Sequence, residues 1–418
     1  MTTKNGSRQS EVSWGRRKLE WARAYMPVLA GIRERFVGER PLLGQRIAMS
    51  LHLEAKTAML AWLLADGGAQ VAITSSNPLS AQDDVAAALA ETGVSVHARR
   101  GLSDDEYDRL HHRVLDIEPT LIVDDGSELV SRLVGDRRSL AAGVRGGTEE
   151  TTTGVTRLRA LATAGALPFP MVAVNDAPMK HLFDNRYGTG QSTWDAILRH
   201  TNLTVAGATV VVAGYGWCGR GVAERARGLG ARVIVTEVNA VRANEALMDG
   251  HRVMPMIDAA REAQFVVTCT GCRDVVRPEH LAAMRDGVVL ANAGHFDVEV
   301  DVEWLRQTAV AAEPGRDADV MRYRLADGRQ RVVIADGRLV NLAGGDGHPV
   351  EIMDLTFGLQ ALTLERLATE TRPAGLYAVD PAVDRAVAEV RLEASGVRID
   401  QLTAEQTAYL AAFSWNPA

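Results

Sequence analysis

Thr209-Val-Val-Val-Ala-Gly-Tyr-Gly-Trp-Cys-Gly-Arg-Gly221 is a β-branched run that feeds Gly214-x-Gly216-x-x-Gly219. A helical pattern follows at once from Val222, and Arg232-Val-Ile-Val-Thr-Glu237 reads as the next strand, with an acid at its end. Strand, turn, helix and strand in this order predict a dinucleotide site. Gly214 makes the tight turn, Gly216 admits a pyrophosphate, and Gly219 lets helix and strand pack closely. The helix start offers free N–H groups and a positive dipole end to phosphate. Glu237 lies roughly 20 residues on, where a ribose-diol acceptor belongs, and an acid there selects NAD by repelling a 2′-phosphate.

Outward from this unit, the 418 residues suffice for two or three domains. Apolar content of 46% and charge of 24% are those of a globular protein. A net charge of −7 without a basic stripe argues against a nucleic-acid partner. No apolar run approaches a membrane span, and the polar N-terminus has no apolar signal core. Three cysteines (Cys218, Cys269, Cys272) suit a reducing cytoplasm; one Cys-x-x-Cys pair makes no metal site, and none is expected.

In chain order, residues 11–36 look helical, with Arg16-Arg17-Lys18 on a wet face interleaved with Trp14, Leu19 and Trp21. Strands are expected at 46–54, 70–74, 94–96 and 121–123. A helix is expected from Ser80, as cap, to Thr92. The alternation predicts an α/β protein with two doubly wound parallel-sheet domains and a short helical C-terminal tail. Residues 1–187 would form a substrate domain completed by 349–380, residues 188–348 a Rossmann domain, and 381–418 the tail. A helix over 350–369 would cross back onto the first domain. Ligands in such sheets sit beyond the carboxyl ends of strands. Polar residues gather there: His52 and Glu54, Asn77, and Asp124-Asp125. Lys180 and Asp184, four apart, share a face on a helical turn. Taken alone, that pair also reads as a surface ion pair, and His52 and His295 as satisfied core histidines. His111-His112 are expected to be exposed.

These strings resemble the S-adenosylhomocysteine hydrolase (adenosylhomocysteinase) family. The matching stretches include Leu51-His52, Asp124-Asp125-Gly126, Glu149-Glu150-Thr-Thr-Thr-Gly154, Asn175-Asp176, Phe183-Asp-Asn185, Gly294-His-Phe-Asp297, Gly337-Arg-Leu-Val-Asn-Leu342 and Gly347-His-Pro349. Tyr187–Ser192, Trp217-Cys218-Gly219 and the short C-terminus resemble its archaeal and thermophilic branch, which includes S-inosyl-L-homocysteine hydrolases.

The resemblance implies reversible hydrolysis of a nucleoside thioether to nucleoside and L-homocysteine. NAD oxidises the 3′-OH, the 5′ thioether leaves by elimination, water adds, and the ketone is reduced. Lys180 and Asp184 would serve the 3′-OH, and Glu150 the 2′-OH with Asn185 nearby. Asp125, His52 and His295 would handle C4′ and the leaving group or water, with His348 at the substrate. Thr151, Thr152 and Thr153 would line the nicotinamide ribose, and Asn341 would meet the carboxamide. The resemblance also implies a homotetramer. A nucleoside or sugar epimerase using the same 3′-keto chemistry, and a non-enzymatic NAD-binding regulator, remain alternatives.

Two departures stand out. The family pattern places a Thr donor and a Glu or Gln acceptor at the adenine, where this chain has Glu54 and Lys56. Acceptor and donor are exchanged, which complements hypoxanthine, with its N1–H and 6-oxo group. Thr189 replaces a cysteine common near the nicotinamide.

Overall fold

The computed structural model describes residues 2–411; the tail beyond Ala411 lies outside them. Seven strands form the first sheet: β1 (Arg46–Ser50), β2 (Gln70–Thr74), β3 (Ser95–Val96), β4 (Leu121–Asp124), β5 (Gly146–Glu149), β6 (Pro170–Ala173) and, from late in the chain, β15 (Gly375–Ala378). Their order is β15-β6-β5-β4-β1-β2-β3, all parallel. The second sheet holds β7 (Thr209–Ala213), β8 (Arg232–Thr236), β9 (Arg252–Val253), β10 (Phe265–Thr268), β11 (Val288–Asn292), β12 (Ala311–Pro314), β13 (Val320–Arg324) and β14 (Gln330–Ile334). Its order is β12-β13-β14-β11-β10-β7-β8-β9. This sheet is mostly parallel, as expected of a doubly wound domain, with an antiparallel edge. β12 and β13 run antiparallel at one edge, because short connections around Gly315 and Gly328 leave no room for a crossover helix.

β7 and β11 are buried along their whole length, as strands covered by helices on both faces must be. Helix Val350–Thr369 packs against the first sheet, burying Leu355, Phe357, Leu359 and Leu364 in one core with Ile47, Met49 and Val123. Its Asp354 accepts N–H bonds from Val28 and Leu29, both 2.8 Å, and so caps helix Pro27–Glu39. The same helix delivers Thr356 and Gln360, both buried, to the site below.

Trp14 and Trp21 are exposed, whereas Leu19 and Ala22 of helix Thr2–Ala24 are buried. Two local expectations are corrected. His111 is fully buried, because its ring nitrogens bridge Ser50 Oγ (3.0 Å) and the Tyr107 carbonyl (2.9 Å). The helix expected from Ser80 begins at Asp83, and Ser80 caps nothing; its hydroxyl is bound to His52.

Candidate active site

The carboxyl ends of the two sheets open into one cavity of about 1390 Å³. Its wall includes His52, Glu54, Asp125, Glu150, Thr151, Thr152, Thr153, Lys180, Asp184, Asn185, His295, His348, Gly214, Gly216, Glu237 and Asn341. Lys56 and Gly219 sit behind it, bonded to or packed on wall residues.

On the second sheet the site is made mainly of backbone. Gly214 has φ +95°, a left-handed conformation in which a side chain would be strained. A Cβ at Gly219 would lie 2.0 Å from the Gly214 carbonyl oxygen, so only glycine permits this packing. At Gly216 the nearest atom to such a Cβ is 3.8 Å away, which leaves room for a phosphate. Glu237 accepts N–H bonds from Tyr215 (2.7 Å), Val238 (2.7 Å) and Asn239 (2.9 Å). Burial raises its pKa, but these backbone donors outweigh burial and hold it below the usual carboxylate range. Asn341 donates to Ser192 (3.0 Å), while its Oδ1 is buried without a partner. An orphaned acceptor in a cavity wall fits a ligand amide donor.

On the first sheet the site is made of charged side chains. β4 and β5 are neighbours, and each ends in an acid doublet. The first acid of each is buried in the loops: Asp124 accepts four backbone N–H bonds, and Glu149 accepts from Gly126, Ser127 and Thr151. The second acid of each, Asp125 or Glu150, faces the cavity. The chain then tightens into a π-helical turn, His181–Gly188, that brings Asp184 to Lys180. Lys180 Nζ lies 3.0 Å from Asp184 Oδ1, 2.9 Å from Asn185 Oδ1 and 3.4 Å from Glu150 Oε1. Thr356 donates to Asp184 (3.2 Å) and Gln360 to Glu150 (2.7 Å). Across the cavity, His52 Nε2 is 3.2 Å and His295 Nδ1 is 3.9 Å from Asp125.

The two units each match a family model: residues 7–139 match S-adenosyl-L-homocysteine hydrolase, and residues 185–347 match its NAD binding domain. The chain is 56% identical over 398 residues to the S-inosyl-L-homocysteine hydrolase of Methanopyrus kandleri, covering 95% of this chain and 94% of that protein. It is 54% identical to the enzyme of that name from Methanosarcina acetivorans, over 96% of this chain and 98% of the relative. Identity to the adenosylhomocysteinase of Archaeoglobus fulgidus is 53%, over 95% and 98%. The chain belongs to the S-adenosyl-L-homocysteine hydrolase family.

The glycine turn, Glu237 and the open acceptor of Asn341 fit the NAD that this family model names. In this hydrolase-family chain the electrostatics of the Lys180 cluster differ from a simple lysine base. Burial lowers the Lys180 pKa, but Asp184 and Glu150 outweigh it and raise the pKa above the usual lysine range. One ammonium cannot neutralise two carboxylates. Asp184, which burial would raise, is held low by Lys180 and His348. Glu150 is pushed up to about 8 by burial, against the pull of Lys180. At neutral pH the cluster is therefore an ion pair beside a protonated carboxyl.

Of the expected residues, Lys56 stands just behind the cavity wall. Its ammonium is 2.7 Å from Glu54 and donates to the Asp346 carbonyl, so Glu54 is the group on the cavity wall. Thr189, which replaces the family's common cysteine, donates its hydroxyl to Cys218 Sγ at 3.7 Å. Ser76, Ser80, Thr356 and Gln360 all bond catalytic candidates and had no sequence signal of their own.

Proposed function

We propose that this chain catalyses the NAD-dependent, reversible hydrolysis of a purine nucleoside thioether, with S-inosyl-L-homocysteine preferred to S-adenosyl-L-homocysteine. The observation that carries it is Lys180, held between two buried carboxylates in the cavity that also bears the glycine turn. NAD, when bound, would supply the hydride acceptor and donor for C3′, and its positive charge would favour the neutral amine of Lys180. Lys180, oriented by Asp184 and Asn185, takes the proton of the 3′-OH. Glu150, oriented by Gln360, bonds the 2′-OH. The 3′ ketone acidifies C4′–H; the Asp125, His52 and His295 group removes that proton and supplies one to the departing sulfur. Water adds at C5′ of the enone, and Lys180 gives its proton back to the 3′ oxygen as the ketone is reduced to the alcohol. Thr151, Thr152 and Thr153 border the cofactor ribose, and Asn341 accepts from the carboxamide.

The exchange of acceptor and donor at Glu54 and Lys56 supports the purine preference. Glu54 would accept N1–H, and Lys56, with one N–H beyond its bonds to Glu54 and Asp346, would donate to the 6-oxo group. A buried polar group left unpaired by the wrong base can give ~10⁴-fold discrimination. Comparing kcat/KM for the inosyl and adenosyl thioethers tests this, and an adenosyl preference refutes it. Incubating inosine and L-homocysteine with NAD-loaded protein tests the reaction itself: the epimerase and regulator readings predict no thioether.

The same reading takes residues 1–187 with 349–380 as the substrate domain, 188–348 as the NAD domain, and the cytoplasm as its place. Among the described residues no helix is long and apolar enough to cross a membrane. A homotetramer is part of the proposal. Helix Ala404–Ala411 buries nothing in the single chain and leaves Tyr409 and Leu410 exposed, which suits an assembly contact. Light scattering giving the mass of one chain would refute that part.

A further inference from the structure

We propose that Ser80 is a positioning residue that fixes the tautomer of His52 and holds the ring through a change of protonation, so that it presents Nε2–H to Asp125 throughout. The catalytic use of that N–H rests on the hydrolase reading above; the state of the ring does not.

Ser80 is buried, and its Oγ lies 2.8 Å from His52 Nδ1, 2.9 Å from Ser75 Oγ and 3.1 Å from the Asn77 carbonyl. Ser75 Oγ is itself 2.9 Å from that carbonyl. On the other edge of the ring, Nε2 is 3.2 Å from Asp125 Oδ2, which also accepts from Ser76 Oγ at 2.9 Å.

Counting protons gives one consistent assignment. An ionised carboxylate offers only lone pairs, so Nε2 carries the hydrogen. In the neutral ring Nδ1 is then a lone pair and needs a donor. Ser80 is its one bonded partner among the described residues. Ser75 donates to Asn77, which frees the Ser80 hydrogen for Nδ1. When the ring gains a proton, Nδ1 becomes a donor. The Ser80 oxygen then accepts, and its hydrogen turns to the Asn77 carbonyl already in reach. A hydroxyl can do both; a methyl group can do neither.

The titratable groups facing the ring are Asp125 beyond β4, His295 beyond β11 at 5.8 Å between ring centroids, and His348 beyond the second sheet. Burial first, then the two imidazoles, opposes a charge on His52 and outweighs Asp125. The ring is thus neutral at rest, with its pKa lowered to about 4. Its resting role is that of an N–H donor.

The test is ¹⁵N NMR of the full chain labelled at histidine, with His52→Asn used to assign the resonance. The wild type should show a neutral ring protonated at Nε2 at pH 7. Ser80→Thr should keep that tautomer, and Ser80→Ala should give a tautomer mixture. In NAD-loaded protein, exchange of the C4′ hydrogen in deuterium oxide should slow on the order of 10-fold or more in Ser80→Ala, part of the ~10²–10⁴-fold that positioned acid–base groups supply. Its pH profile should shift while KM holds, and Ser80→Thr should restore both. A wild-type ring protonated at Nδ1 overturns the proposal even if Ser80→Ala does not fold. So does an unchanged tautomer in Ser80→Ala. Loss of hydrolase activity with the tautomers as expected would instead count against the functional reading.

Discussion

The two walls of the cavity bind by opposite means. The wall from the second sheet is nearly all backbone: a glycine turn, a helix start, and one acid pinned by three N–H groups. The wall from the first sheet is side chain: one lysine, three carboxylates and His52 in close pairs, with His295 reaching Asp125 from the second sheet at 3.9 Å. The difference follows from what each side must do. A cofactor that returns unchanged needs a fixed cradle and no proton acceptor. A substrate that loses and regains protons needs groups that titrate, and burial and pairing set the pKa values of neighbouring groups apart. Replacing Lys180 with Gln should therefore lower kcat by ~10²–10⁴-fold while NAD titration by fluorescence stays as in the wild type. Equal loss on both measurements would erase the distinction between the walls.

The second break lies within the charged wall. The double variant Glu54→Thr, Lys56→Glu should reverse purine preference, moving the inosyl-to-adenosyl ratio of kcat/KM by ~100-fold or more. A ratio that stays put would mean that the Glu54–Lys56 pair only braces the loop at Asp346. The third tests the backbone wall. Gly219→Ala forces a methyl to 2.0 Å from the Gly214 carbonyl. Overpacking of about 1–3 kcal/mol should weaken NAD binding roughly 10-fold or more, read as Kd by calorimetry.

The same contrast explains what was legible in the sequence. A backbone cradle announces itself, because glycine at fixed spacing is a steric demand of the chain itself. Gly214, Gly216, Gly219 and Glu237 are readable for that reason. Lys180 and Asp184 are readable because helical spacing joins them. The remainder of the charged wall joins residues far apart in the chain, such as Gln360 with Glu150, 210 positions away, and Thr356 with Asp184, 172 away. No local period encodes such a contact. Ser80 misled because serine before a helix commonly caps it, and tertiary demand from His52 won. His111 misled because a charged helix surface surrounds it, and only the placement of Ser50 makes a buried ring tolerable. The antiparallel β12–β13 edge follows from the lengths of its connections rather than from hydrophobic pattern.

The finest test compares stability against pH on the two walls. Glu150 titrates at about 8 in the folded chain, against 4.5 as its ordinary value. Between those values the folded state holds a proton that the unfolded chain has released. Its share of stability is thus complete below about pH 4.5 and falls as pH rises toward 8, by up to about 1.4 kcal/mol per pH unit for one proton. Asp124, raised to about 7 by burial, adds a slope of the same sign over a narrower window. Glu150→Gln should leave that remainder and remove its own proton from the slope, as read by urea denaturation across pH 5–8 in cofactor-free protein. Glu237 has its pKa lowered in the folded chain, so its contribution has the opposite sense: present above its ordinary 4.5 and lost on acidification. Glu237→Gln should therefore lower stability by an even amount above about pH 4.5 and by less in acid, without touching the decline toward pH 8. If both variants flatten the same limb, the two walls are coupled through the cavity, and the protonated state of Glu150 depends on the cofactor side as well as on Lys180.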